Sequence, residues 1–120
     1  MKRIARIWKE TFAIAKAKKP EKDAFANVND KTEMTVIIDQ KKLSKKNTIK
    51  AEKDYKLVTF DMLLPFSMTG FIAKIATALA KKKIPIFVVS AYSTDHLLIK
   101  KKYLKKTEKT LESLGFVIKK

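Results

Sequence analysis

Two short clusters hold the residue types best suited to gripping a small polar molecule. Leu64-Pro65-Phe66-Ser67-Met68-Thr69-Gly70 leads from an apolar run into a helical pattern. A strand-to-helix loop of this kind leaves backbone N–H groups and the positive end of a helix dipole available to a carboxylate, and Gly70 has no side chain to block approach. Ser67 and Thr69 would equally serve as plain helix caps, and Gly70 could simply ease helix packing, so both readings stay open. Ser93-Thr94-Asp95 is the second cluster. Its carboxylate suits an ammonium group and its two hydroxyls add acceptors. The same three residues are also ordinary turn chemistry, in which short polar side chains bond local backbone.

Other chemistry is short of parts. His96 is the one histidine and there is no cysteine, so neither a histidine triad nor a thiol nucleophile or zinc finger can be assembled. The carboxylates Asp39, Glu52, Asp54 and Asp61 show no close repeat that suggests paired acid and base work. Gly70 and Gly115 are the only glycines, too few for a phosphate-cradling or dinucleotide loop. The expectation is a protein without catalysis of its own, without a cofactor and without a metal.

The 120 residues make one ordinary domain or two very small ones. With 46% hydrophobic and 33% charged residues, the chain is too apolar for disorder, and no apolar run approaches the roughly 20 residues of a membrane span. Arg6, Lys9 and Glu10 interrupt the opening segment before it reaches signal-peptide length. Trp8 beside Arg3, Arg6 and Lys9 is expected to pack over the core rather than to anchor a membrane. The absence of cysteine fits a reducing compartment, and a cytoplasmic location is the expectation. The net charge is +16, the footprint of a binder of nucleic acid or another anionic surface. Against that, only Arg3 and Arg6 supply the forked guanidinium favoured by phosphate and base readers, and all other cations are lysine. Charge is also even along the chain, with 15 basic and 7 acidic groups in residues 1–53 and 13 and 5 in residues 54–120, or +8 in each half.

Elements must position the two clusters. Lys18 to Asp23 and Asp39 to Asp54 read as polar connections. Ile4, Ile7, Trp8 and Phe12 fit a helical face, while alternation from Thr11 to Ala17 suits a strand, and a strand from about Thr11 is favoured. Ala24 to Asn29 and Met34 to Ile38 complete a small antiparallel meander. From Leu57 to Leu63 a strand is expected, stopped by Pro65. Phe71, Ile72, Ile75, Ala76, Leu79 and Ala80 recur at helical spacing, with Ser67 or Thr69 as caps and Lys81, Lys82 and Lys83 at the C-terminal end. Pro85 to Val89 reads as a buried strand paired with His96 to Lys100, and Lys102 to Leu114 as a second helix stopped by Gly115 before a strand at Phe116 to Ile118. The predicted fold class is α+β, a ferredoxin-like β-α-β-β-α-β module over residues 54–120 behind a smaller β-rich module over residues 1–53.

The run Leu64 to Gly70, followed by Ile84-Pro85-Ile86-Phe87-Val88-Val89-Ser90-Ala91-Tyr92-Ser93-Thr94-Asp95, resembles the ACT-domain family, in particular its amino-acid-sensing branch of small stand-alone proteins with two ACT-like modules. These are related to the regulatory modules of aspartate kinase and to the cellular arginine sensors. The resemblance extends over Tyr55 to Phe116, and more weakly over Phe12 to Asp39, where it is to a degenerate first module lacking a full helix. It implies an amino-acid-binding regulatory module, its ligand held partly by loop backbone where two ACT units meet, and pairing of such units sheet to sheet, as in a homodimer. Ligand-binding positions carried over are Leu64, Pro65, Phe66, Ser67, Met68, Thr69, Gly70, Ser93, Thr94 and Asp95. Ser67 stands where the family often has an acidic residue, and His96 follows Asp95 where an aromatic or aliphatic residue is usual.

Two functions from different classes follow. One is a sensor in which an amino acid stabilises a paired form. The alternative is a nucleic-acid-binding domain using Lys81 to Lys83, Lys100 to Lys102 and Lys105-Lys106 on phosphates and Phe87 or Tyr92 for stacking. The glycine-and-aromatic signature of RNA binders on this plan is missing, since Ser90-Ala91-Tyr92 and Leu97-Leu98-Ile99 offer a single aromatic.

Overall fold

A computed structural model of the protein describes residues 3–62 and 69–120. Eight strands and two α-helices follow one another as β1 (Ile4–Ile7), β2 (Phe12–Ala17), β3 (Ala26–Asn29), β4 (Met34–Asp39), β5 (Thr48–Phe60), α1 (Phe71–Lys81), β6 (Phe87–Ser90), β7 (Asp95–Lys100), α2 (Leu104–Ser113) and β8 (Val117–Lys119). Contacts divide the chain into two compact units. One contains the segment through Lys9 together with Lys56–Lys120, and the other is Glu10–Tyr55. Strand β5 contributes its first part to the second of these and residues 56–60 to the first.

The helix-bearing unit has strand order β8-β1-β5-β7-β6. Its sheet is mixed, because β1 pairs antiparallel with β5 and parallel with β8. The ferredoxin-like β-α-β-β-α-β module expected from sequence thus acquires a further strand from residues 4–7, for which a helical face was one reading. The alternation decides against a helix: Ala5 and Ile7 point into the core and Arg6 points out. Both helices cover one sheet face, and their Ile75, Leu79 and Leu111 pack with Ala5, Ile7, Val58, Phe60, Leu97, Ile99 and Phe116. Phe60, Phe71 and Phe116 form an aromatic trio, with centroid separations of 5.3 to 6.3 Å.

Helix ends follow local chemistry. Gly115, at φ 93°, takes the left-handed position after α2, and Phe116 N–H donates to Leu111 O at 3.1 Å, a Schellman closure. Lys83 holds the equivalent place after α1 at φ 59°, with Ile84 N–H donating to Leu79 O. At the start of α1 the expected side-chain cap gives way to Gly70, which occupies the N-cap position at φ 79°. Ser67 lies outside the described residues. Strand β6 also departs from expectation. It pairs with β7 at the edge of the order, and Phe87 and Val88 are 38% and 39% exposed where burial was expected.

The other unit is an antiparallel array of β3, β4, β2 and the first part of β5. Ala13, Ala15 and Ala17 on β2 sit opposite Ile38, Val36 and Met34 on β4, small against large. Half of the stretch read as a polar connection, Thr48 to Asp54, is strand, paired with β2 through two register shifts. Asp54, at φ 66°, marks one irregularity, and its backbone and side chain both bond the amide of Gln40. Asn47 is buried and bonds Lys19 twice, through Lys19 N–H donating to Oδ1 and Nδ2 donating to Lys19 O.

Candidate functional site

A cavity of about 270 Å³ opens at the start of α1, lined by Arg3, Thr69, Gly70, Phe71, Lys74, Ile75, Leu114 and Phe116. Three separate stretches of chain build it: the residue before β1, the start of α1, and the turn between α2 and β8. Residue Arg3 is held by its own carbonyl, which accepts from Val117 N–H at 2.7 Å as β1 and β8 come together. Its guanidinium carbon stands 5.9 Å from the centre of the Phe116 ring. The Phe71 and Phe116 rings of the aromatic trio form the apolar wall.

The electrostatics are one-signed. Arg3 and Lys74 are both exposed, and no carboxylate is among the lining residues. Arg6, the other arginine, is engaged with Asp61 at 2.6 Å, whereas Arg3 pairs with no described carboxylate. Gly70 lacks a side chain to cap the helix, and among the described residues no side chain caps α1, whose positive dipole end faces this cavity. A Cβ built on Gly70 would meet nothing within 4 Å, so glycine serves the left-handed φ of 79° here and not a close approach. Chemically, the arrangement offers one forked cation, one point cation and the positive end of a helix dipole to a small anion lying on an aromatic wall.

Of the residues singled out in the sequence, Thr69 and Gly70 line this cavity. Leu64, Pro65, Phe66, Ser67 and Met68 lie outside the described residues. Ser93, Thr94 and Asp95 are not among the lining residues, and two of them are committed to the hairpin. Asp95 opens β7 opposite Ser90 and accepts its hydroxyl at 2.7 Å, while Ala91 N–H donates to Thr94 O to close the turn. Asp95 remains half-buried with acceptor capacity to spare.

Sequence reasoning missed Arg3, Lys74 and Phe116. A signal existed for Arg3, since it is one of two arginines in a lysine-rich chain. His96 is more than a strand residue. It is 7% exposed, its Nδ1 lies 2.8 Å from Thr59 Oγ1 and its Nε2 3.1 Å from Thr94 Oγ1. Trp8 Nε1–H donates to the same Thr59 oxygen at 2.8 Å. A neutral imidazole carrying its proton on Nε2 satisfies this chain of donors and acceptors, and burial holds the His96 pKa below its ordinary value of 6.5 against the opposing charge of Asp95.

Among the described residues no group of three or more His, Cys, Asp or Glu side chains could hold a metal, and no helix is long and apolar enough to cross a membrane.

Comparison with solved structures gives extensive likeness. The Agrobacterium tumefaciens protein Atu0741 superposes with a TM-score of 0.83 at 20% identity, over 98% of this chain and 92% of that one. A Vibrio cholerae protein of unknown function, described as a possible transport protein, matches with a TM-score of 0.76 at 17% identity, over 94% and 90% of the two chains. A chain of the aspartokinase alpha and beta subunits matches with a TM-score of 0.68 at 15% identity, over 92% of each. Comparison with curated protein sequences finds no match. The profile of the ACT domain matches residues 50–113, more than half of the sequence. The chain therefore belongs to the ACT-domain family.

Proposed function

We propose that this protein is a regulatory module that binds an amino acid or a similar small carboxylate metabolite at the start of α1, without chemistry of its own. The observation that carries the reading is the cavity with Arg3, Lys74 and the N-terminal end of α1 around one apolar wall. Its volume lies just below the roughly 300–1,000 Å³ of sites for drug-sized ligands, which suits a smaller molecule. The ligand carboxylate takes the Arg3 guanidinium and the N-terminal end of α1, and its side chain takes the Phe71 and Phe116 wall. Asp95 lies outside the cavity lining, and its spare acceptor capacity is proposed for the ammonium group of a ligand that extends from the cavity to the β6–β7 hairpin. Membership of the ACT-domain family supports a regulatory role for such binding.

Signalling requires a form that the ligand prefers. The edge strand β6 supports pairing with a second copy, since it bonds β7 and leaves Phe87 and Val88 partly exposed. A ligand that binds the paired form better raises its population by its differential affinity.

The test is a thermal-shift screen of the twenty amino acids, with light scattering on any that respond. A ligand at 100 times its Kd adds about 2.7 kcal/mol, which raises the Tm of a chain this size by on the order of 10 °C. Arg3→Ala removes a charge-assisted hydrogen bond of about 1.5–3 kcal/mol and should weaken the Kd about 10- to 100-fold. A screen in which no amino acid moves the Tm, or a response that Arg3→Ala and Asp95→Ala both leave intact, rejects the site.

A further inference from the structure

We infer that the outer groove between α1 and α2 is a docking site for an acidic amphipathic segment of a partner protein. Charge is the first observation. The helix-bearing unit carries 17 of the 28 basic groups and 4 of the 12 acidic ones, a net +13, which leaves +3 on residues 10–55. Its few carboxylates are occupied or elsewhere. Asp61 accepts from Arg6, Glu108 pairs with Lys120, and Asp95 accepts from Ser90. None of the four acidic residues lines the groove.

Shape and chemistry narrow the occupant. The groove encloses about 590 Å³, with Ala73, Ala78 and Leu114 as apolar lining and the exposed Lys74, Lys81 and Lys82 as its cations. Two hydroxyls in the lining are already spent, since Thr110 donates to Lys106 O at 2.8 Å and Ser113 to Thr110 O at 2.6 Å. Lys106 Nζ donates to Lys82 O at 3.2 Å, so one amine of α2 reaches across to the end of α1. The result is an apolar seat flanked by lysines. An extended phosphate backbone would find no aromatic platform among these residues and few free donors besides the amines. Apolar side chains flanked by carboxylates satisfy both parts of the site, as in helix-in-groove recognition. The 11 residues of α1 span roughly 16 Å, the length of a three-turn partner helix.

The experiment is fluorescence anisotropy of the full chain at about 0.15 M salt, where exposed charges beyond about 8 Å are screened. The probes are a labelled amphipathic peptide with glutamates flanking a leucine-alanine stripe, its glutamine analogue, and a single-stranded oligonucleotide of similar length. The acidic peptide should bind, and the glutamine analogue should bind at least about tenfold more weakly. Lys81→Glu with Lys82→Glu should lose at least about tenfold, and Thr77→Trp, which fills the groove without changing charge, should lose a comparable amount. Lys45→Glu with Lys46→Glu, an equal charge change in residues 10–55, should lose no more than about twofold. The inference is overturned if the acidic peptide does not bind, if the Lys45 and Lys46 pair matters as much as Lys81 and Lys82, if Thr77→Trp binds normally, or if the oligonucleotide outcompetes the peptide.

Discussion

The helix-bearing unit and the unit of residues 10–55 are both rich in strands, yet they are held together differently. In the first, aliphatic side chains from β1, β5, β7, β8 and both helices meet at an aromatic trio, and side chains 113 residues apart, Arg3 and Phe116, line the same cavity. In the second, alanines on β2 oppose larger residues on β4, and buried polar atoms such as those of Asn47 are satisfied by neighbouring backbone. The cavity with its cations and the lysine-lined groove both belong to the first. Charge and candidate chemistry therefore segregate with the helices, and the segregation depends on residues 3–9 folding with the segment that begins at Lys56.

Removing residues 1–9 is the strongest way to break that comparison. Strand β1 stands between β5 and β8 and supplies Ala5 and Ile7 to the core, so its loss cuts β8 off from the sheet and leaves a cavity in the core. Amide resonances of residues 56–120 should lose their dispersion in the truncated chain. Retained dispersion would mean that the helix-bearing unit stands without β1.

Next in size is Phe60→Ala. Phe60 is fully buried, contacts both other rings of the trio, and its removal should cost about 3–5 kcal/mol in chemical denaturation. A cost below about 1 kcal/mol would show that the trio does not organise the unit.

A smaller effect separates backbone from site. Gly70→Ala forces a side chain into left-handed backbone at φ 79° and should cost about 1–2 kcal/mol, while the open space around its Cβ should leave ligand affinity within about threefold. Loss of ligand response with no loss of stability would reverse that assignment.

The sequence made some of this legible and hid the rest for identifiable reasons. Helix α1 was readable because Phe71, Ile75 and Leu79 repeat over three turns, and Gly115 was readable as a stop because the left-handed position after a helix favours glycine. Strand β1 is only four residues long, too short for its alternation to outweigh the helical spacing of Ile4, Ile7 and Trp8. The first part of β5 was hidden because Lys50, Glu52, Lys53 and Asp54 are exposed and give no apolar alternation. Thr69 and Gly70 were found from the strand-to-helix pattern, whereas Arg3 joins them through pairing of β1 with β8, which local pattern does not encode. The even charge of +8 per half becomes +13 against +3 only when residues 1–9 are counted with the unit they join.

The smallest expected effect concerns pH. His96 is held below its ordinary value of 6.5 by burial, so the unfolded chain takes up the proton first as pH falls. The stability contributed by the neutral imidazole is complete above pH 6.5 and declines as pH drops below it toward the folded value. Denaturation midpoints of wild type and His96→Asn should therefore keep a constant difference above pH 6.5 and shift in the mutant's favour below it. Parallel profiles across pH 5 to 8 would contradict the buried, neutral assignment.

The most direct test of the central claim is amide chemical-shift mapping of the isotope-labelled full chain titrated with whichever amino acid raises its Tm. Perturbations concentrated at Arg3, Gly70 to Lys74 and Phe116 are the predicted result. Saturating perturbations confined to residues 10–55, with those positions unmoved, would contradict it.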